Sequence, residues 1–249
     1  MTSSPRLWRR GFTSLVNFIR DPSDLGNSFD AFLLLAGPHV QREFQRFAQH
    51  PMGRRLLARR PRPNLNELLS DREALESMPP GSFGQAYLDY LDDRDMGSAT
   101  YFLQAARLQE KAATLGWSPD QLWFIERLAN SHDLFHVLTG YGRDIAGEVG
   151  VISYTAGHFP ILPLKLLLGY FMTLKPSQPR DWTQFVLRSY HHGTEATRLT
   201  CLDYEGLLPQ PLDTVRKVCG IRPMEHVHPE GMPARGALLR AFENKIQLA

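Results

Sequence analysis

Residues 130–150 read NSHDLFHVLTGYGRDIAGEVG. His132 and His136 stand four apart with Asp133 between them, and Glu148 follows the second histidine by twelve positions. Four residues on an α-helix rise about 6 Å and complete nearly one turn, so both imidazoles can face one ion. Imidazole with carboxylate suits zinc, or iron, cobalt or manganese, better than calcium. Two histidines with one or two carboxylates leave a coordination position for a guest. That is the pattern of Lewis-acid catalysis or ligand binding rather than of a closed structural ion. A single buried histidine is ordinarily a hydrogen-bonded core residue. A pair one turn apart, followed by a returning carboxylate, is better explained by a metal.

The helices that must carry these groups are legible around them. Leu122, Ile125, Leu128 and Ala129 mark an apolar stripe over 119–139, and its continuation by threes and fours reaches His132 and His136. Asp133 lies about 100° round, at the margin of that face. Thr139 and Gly140 end the helix, Gly142 lets the chain turn back, and Asp144 is a candidate N-cap. On the next helix Glu148 sits among Ile145, Val149 and Ile152. A glutamate on an apolar stripe is costly unless its charge is paired. Two antiparallel helices are therefore expected to share the site.

Helical periodicity continues along the chain, with no convincing run of alternating strand residues. Helices are expected near 6–20, 28–36, 38–48, 83–94, 98–116, 119–139, 144–156, 161–174, 181–200 and 211–219. Prolines punctuate them, with a loop-rich connector at 61–82 and an irregular segment at 222–235. The class is all-α, a single compact multi-helix domain. Its parts are a basic helical segment over 1–60, a helical domain over 61–221 and an irregular C-terminal tail over 222–249.

Lys+Arg 28 against Asp+Glu 26 is nearly balanced, which speaks against nucleic acid as a partner. The charge is unevenly spread, because residues 1–62 hold eleven arginines and four acids. Arg54, Arg55, Arg59, Arg60 and Arg62 form its densest cluster, readable as a solvated face or as a contact for lipid headgroups or an acidic partner. The first twenty residues are Arg-rich with apolar residues near helical spacing, which fits a mitochondrial presequence or a short amphipathic surface helix equally. Cys201 and Cys219 have no Cys-x-x-Cys spacing, so a disulfide scaffold is excluded and a reducing compartment is the default. The segment ILPLKLLLGYFMTL (161–174) is strongly apolar, yet it falls short of the roughly 20 residues of a spanning helix. It reads as a buried core helix, an interfacial helix or the wall of an apolar tunnel.

Other motifs carry less. A metalloprotease His-Glu-x-x-His would need glutamate where Asp133 stands. A His-Asp phosphohydrolase would need a nearer upstream histidine than His39 or His50. LDDRDM (91–96) places Met96 where a prenyl-diphosphate motif requires aspartate, and is read as a charged helix end. His226 and His228 are loop histidines whose spacing could bind a metal, with solvent exposure the plain expectation. His191 and His192 are expected at the surface, with a ligand head-group contact as the sharper alternative, and Arg188 and Arg198 are candidates for a carboxylate or phosphate.

His132-Asp133-x-x-His136-x11-Glu148 resembles the signature of the Coq4 family of ubiquinone-biosynthesis proteins. PPGSFGQAYLDYLDDRDM (79–96) and YHHGTEATRL…LDYEGLLPQPLDTVRKVCGI (190–221) resemble further family segments in the same order, so the likeness covers roughly 79–221. It implies an all-helical, membrane-peripheral protein, at the cytoplasmic face of the inner membrane in a bacterium or the matrix face in a mitochondrion. It also implies a metal-dependent lyase-class decarboxylase. The C1 carboxylate of a 4-hydroxy-3-methoxy-5-polyprenylbenzoate-type precursor would be replaced by hydroxyl. His132, Asp133, His136 and Glu148 stand at the family's metal ligands, with zinc the first expectation, and would serve as the catalytic set. The prenyl tail would lie along Phe159, Ile161, Leu164, Leu167, Leu168, Phe171 and Met172, with His192 and Arg198 near the head group. Implied partners are an isoprenoid lipid, other quinone-biosynthesis proteins, the membrane surface and, as an option, a second copy of the chain. The alternative function is a non-catalytic lipid-binding scaffold that organises the biosynthetic complex.

Overall fold

A computed structural model describes residues 5–20, 25–92, 108–142, 144–174 and 179–232. Among them the regular structure is helical, with one isolated bridge between Ser82 and Pro211. The all-α class is borne out. The chain gathers into two compact units. The first draws on residues 1–40, 139–196 and 222–249, the second on 41–138 and 197–221.

The early helices are α1 (Pro5–Arg20), α2 (Leu25–Gln49), α3 (Pro51–Ala58), α4 (Leu65–Ser70), α5 (Arg72–Glu76) and α6 (Phe83–Asp92). The two helices expected at 28–36 and 38–48 are one. Pro38 lacks the N–H that would bond back one turn, but Leu33, Leu34, Leu35, Ala36 and Val40 are all buried around it, and that burial carries the helix through. The connector 61–82 is also more ordered than expected. Asn64 caps α4 by accepting from the Glu67 N–H at 3.2 Å, and Asp71 caps α5 by accepting from Ala74 N–H at 3.0 Å. The helix expected at 98–116 lies partly outside the described residues; within them it is seen as α7 (Leu108–Leu115).

The site depends on α8 (Pro119–Thr139) and α9 (Ile145–His158). Gly140, at φ 79, takes the left-handed conformation that ends α8. Asp144 accepts from Gly147 N–H at 2.8 Å and starts α9 as expected. They are followed by α10 (Leu162–Thr173), α11 (Pro179–Glu195), a 3₁₀ turn Leu199–Cys201, α12 (Tyr204–Leu207), α13 (Leu212–Cys219) and α14 (Met224–Val227). The last corrects the irregular reading of 222–235 in part.

In the first unit α9 and α11 pack at unusually short range. A Cβ on Gly193 would fall 1.9 Å from the Tyr154 carbonyl oxygen, and one on Gly157 would fall 2.2 Å from that of Tyr190. Trp182, Tyr141, Tyr154, Phe159 and Phe185 fill the space around them. Leu15 of α1 packs with Ala31 and Leu35 of α2, joined by Trp8, Leu166 and Leu167. In the second unit Phe47, Phe83, Phe124, Phe135 and Tyr204 form the largest buried groups. There the buried Arg127 guanidinium donates to both Glu205 carboxylate oxygens, at 2.5 and 2.8 Å, and to the Leu202 carbonyl at 2.9 Å. No described helix is long and apolar enough to cross a membrane.

Candidate metal centre

The last two turns of α8 are buried almost all round: Ser131, Asp133, Leu134, Phe135, His136, Val137, Leu138 and Thr139 are each at most 7% exposed. The stripe expected from Leu122, Ile125, Leu128 and Ala129 is half correct, since Ile125 is buried while the other three are half-buried. A helix wrapped on every side cannot be read from one stripe. Within it His132 and His136 lie with ring centroids 5.0 Å apart and planes at 85°.

Each of His132, His136 and Glu148 offers one ligand atom, and these atoms lie within 4.8 Å of one another. His136 is buried; the other two are half-buried, which leaves the set reachable. Two imidazoles and one carboxylate are a chemically suitable donor set for zinc or another first-row divalent ion. Asp133, 7% exposed on the same helix, is not one of the three.

Sequence reading passed over two neighbours. Tyr90 of α6 stacks on His136, with centroids 5.4 Å apart and planes at 28°, and Tyr87 stacks on Tyr90 at 6.4 Å. Their spacing in AYLDY was visible, but nothing local said which ring they would meet. The second is a network of Tyr141, Ser189 and His228, all buried.

The outlying candidates distribute unevenly. His192 is buried rather than at the surface. Its Nε2 accepts from the Arg222 backbone N–H at 3.1 Å, and burial, then the nearby Arg222 charge and His228, lower its pKa to about 4. His191 is exposed. His228 departs from the expectation of an exposed loop histidine because Tyr141 and Ser189 draw it inside, while His226 is exposed. Arg198 pairs with Glu43 at 2.8 Å and Arg188 with Glu230 at 2.5 Å. In the arginine cluster Arg59 holds Asp203 at 2.6 Å and Arg62 holds Asp120 at 2.7 Å. Of the tail candidates, Phe159, Ile161, Leu164 and Phe171 are buried, while Leu167, Leu168 and Met172 are half-buried.

The fold and site define an all-helical protein in which imidazole and carboxylate groups that could hold a metal ion converge from consecutive helices. Residues 33–225 match the sequence model of the family described as coenzyme Q (ubiquinone) biosynthesis protein Coq4. The chain belongs to the Coq4 family. It is 30% identical over 174 residues to the mitochondrial ubiquinone biosynthesis protein COQ4 homolog of Bos taurus, covering 69% of this chain and 61% of that protein. To the Mus musculus homolog it is 29% identical over 176 residues, covering 70% and 62%. The mitochondrial COQ4 of Ajellomyces capsulatus is 26% identical over 173 residues, covering 69% and 58%. The chain thus matches under two thirds of the length of these relatives. A crystal structure from Nostoc punctiforme PCC 73102, of a protein provisionally named for ubiquinone biosynthesis, shares the fold. Its TM-score is 0.57 at 17% identity, over 85% of this chain and 97% of that one.

Proposed function

We propose that this chain acts in ubiquinone biosynthesis as a metal-dependent enzyme of oxidative decarboxylation: the C1 carboxylate of a prenylated 4-hydroxybenzoate-type precursor leaves as carbon dioxide and hydroxyl takes its place, with dioxygen as the two-electron oxidant. The observation that carries this reading is the convergence of His132, His136 and Glu148 within 4.8 Å, in a chain matched by the Coq4 family over 33–225. His132 and His136 would hold the ion and Glu148 would complete the set. Asp133 would orient a histidine, or ligate directly. Lewis-acid polarisation of the ring hydroxyl oxygen, para to C1, is the chemistry that a bound divalent ion supplies. The protein's part would be to hold the two imidazoles one turn apart on a largely buried helix.

The prenyl tail would run over the apolar stretch 159–172, with the half-buried Leu167, Leu168 and Met172 as its accessible part. Membrane-peripheral placement is supported by α1, whose Phe12 and Val16 are exposed beside Arg9 and Arg20 with no acid in the helix. The curated relatives carry mitochondrial names, so the matrix face of the inner membrane is the proposed location in a eukaryotic cell. Other quinone-biosynthesis proteins are the proposed partners. The competing reading, a non-catalytic lipid-binding scaffold, predicts the same ligand set.

Purified, metal-quantified protein is incubated with the prenylated acid under air, and carbon dioxide release is scored. Release that needs both the ion and an intact His132 establishes the enzyme. Metal-replete protein that binds the acid and releases nothing sinks the enzyme reading in favour of the scaffold.

A further inference from the structure

Tyr141 lies in the turn between α8 and α9, flanked by Gly140 and Gly142. Two glycines lend a turn no stiffness of their own, so its path is set by what packs against it, and the buried tyrosine is one of its anchors. The phenol oxygen stands 2.9 Å from Ser189 Oγ on α11 and 2.9 Å from Nε2 of His228, the residue that ends α14. Ser189 Oγ is 3.2 Å from the same nitrogen. All three side chains are at most 1% exposed.

Counting protons assigns the network. Ser189 donates its only hydroxyl proton to the Phe185 carbonyl at 2.8 Å, and Tyr141 donates to Ser189. Both hydroxyl protons are then committed, so the edge to His228 closes only with the imidazole proton on Nε2, donated to the phenol oxygen. The imidazole is itself packed on Phe185, with centroids 4.6 Å apart. On its other side the Tyr141 ring fills the place of a side chain at Gly150, where a Cβ would meet the ring at 2.9 Å. Gly150 is two residues beyond Glu148 on α9.

We propose that His228 is a positioning residue for the metal centre: through Tyr141 it fixes the turn that delivers Glu148. The C-terminal segment thereby sets metal affinity, although His228 lies past residue 225, where the family match ends. This inference rests on the metal reading above.

Zinc affinity of the full chain is measured by competition with a chromophoric chelator for the wild type, His228→Leu, His228→Gln and Tyr141→Phe, with circular dichroism and thermal midpoint alongside. The Leu and Phe variants should bind zinc about tenfold more weakly, the low end of what such supporting partners contribute. His228→Gln, whose amide N–H can stand where Nε2–H does, should stay within about threefold of wild type. A merely structural His228 would lower the midpoint and leave the affinity of folded protein alone. Leu and Phe variants both matching wild-type zinc affinity would overturn the proposal. If His228→Leu does not fold, Tyr141→Phe decides, since it keeps the ring against Gly150. A wild type that binds no zinc or other first-row divalent ion overturns the metal reading instead, which separates the two failures.

Discussion

Gly193 of α11 passes so close to Tyr154 of α9 that any side chain there would collide with the Tyr154 carbonyl, 1.9 Å from an added Cβ. Gly157 stands in the same relation to Tyr190, at 2.2 Å. The obstacle in both cases is backbone, which cannot rotate away. Gly193→Ala and Gly157→Ala should each cost at least the roughly 1–3 kcal/mol typical of overpacking, read from urea denaturation midpoints. An unchanged midpoint for either would mean that the helices can separate at no cost.

Arg127 is 4% exposed and lies over the rings of Trp123 and Tyr204, 5.6 and 5.5 Å from their centroids. Glu205→Ala would leave this guanidinium buried without its counter-charge, a loss of about 3–5 kcal/mol. Removing both charges together, as Arg127→Met with Glu205→Leu, should recover much of that loss. If the single and double variants unfold at the same urea concentration, the pair is not what holds this part of the second unit.

The proposed ligand set makes a distinct prediction for Asp133, which is buried on the same helix as the two histidines but is not among the three converging side chains. Metal content after dialysis against excess zinc should be about one ion per chain for wild type, and close to none for His136→Ala. Asp133→Asn should keep the stoichiometry while weakening affinity by roughly 10–100-fold, the effect of losing an orienting partner. Complete loss of zinc from Asp133→Asn would instead make it a ligand.

On α1, Trp8, Phe12 and Val16 form a line at four-residue spacing. Phe12 and Val16 are 46% and 43% exposed, and the Trp8 and Phe12 rings are 6.2 Å apart. Arg9 and Arg20 border that line. Co-sedimentation with anionic vesicles should fall sharply for Phe12→Asp with Val16→Asp, and should weaken as salt rises from 0.1 to 0.5 M, about 1 kcal/mol being contributed per arginine at the surface. Equal binding to neutral vesicles, or no effect of the double substitution, would remove α1 from the membrane contact.

His192 and His228 both hold their pKa near 4 against an ordinary 6.5, chiefly because burial penalises the charged ring. Arg222 adds to this at His192; at His228 Arg188 adds while Glu230 opposes. The unfolded chain therefore takes up these protons first as pH falls. Their contribution is intact above about pH 6.5, declines between 6.5 and 4, and levels off below. The slope is at most about 1.4 kcal/mol per pH unit for each ring. Urea midpoints at pH 7, 6 and 5 should fall in order, and His192→Leu should flatten the trend; a midpoint indifferent to pH in that range contradicts it.

Much of this was legible along the chain. The four-residue spacing of His132 and His136, the turn signals at Gly140 and Gly142 and the cap at Asp144 are local properties, and local rules recover them. Pro38 misled because one missing hydrogen bond was weighed without the apolar contacts that outweigh it. His192 and His228 misled in the other direction. Histidines near glycine or proline look solvent-facing until Arg222, Tyr141 and Ser189 arrive from distant segments to meet the Nε2 of each ring.

The amino-acid order alone determined that this chain is helical, where most helices begin and end, and that imidazole and carboxylate occur at a metal-binding interval. Those features depend on atoms within one or two turns of each other. Tertiary structure alone decided that Glu148 comes within reach of the histidine pair, that Tyr90 lies on His136, and that the C-terminal segment reaches the turn at Tyr141. Burial and hydrogen-bond partners are set by which segments pack together, and that choice minimises the free energy of the whole chain rather than of any stretch of it.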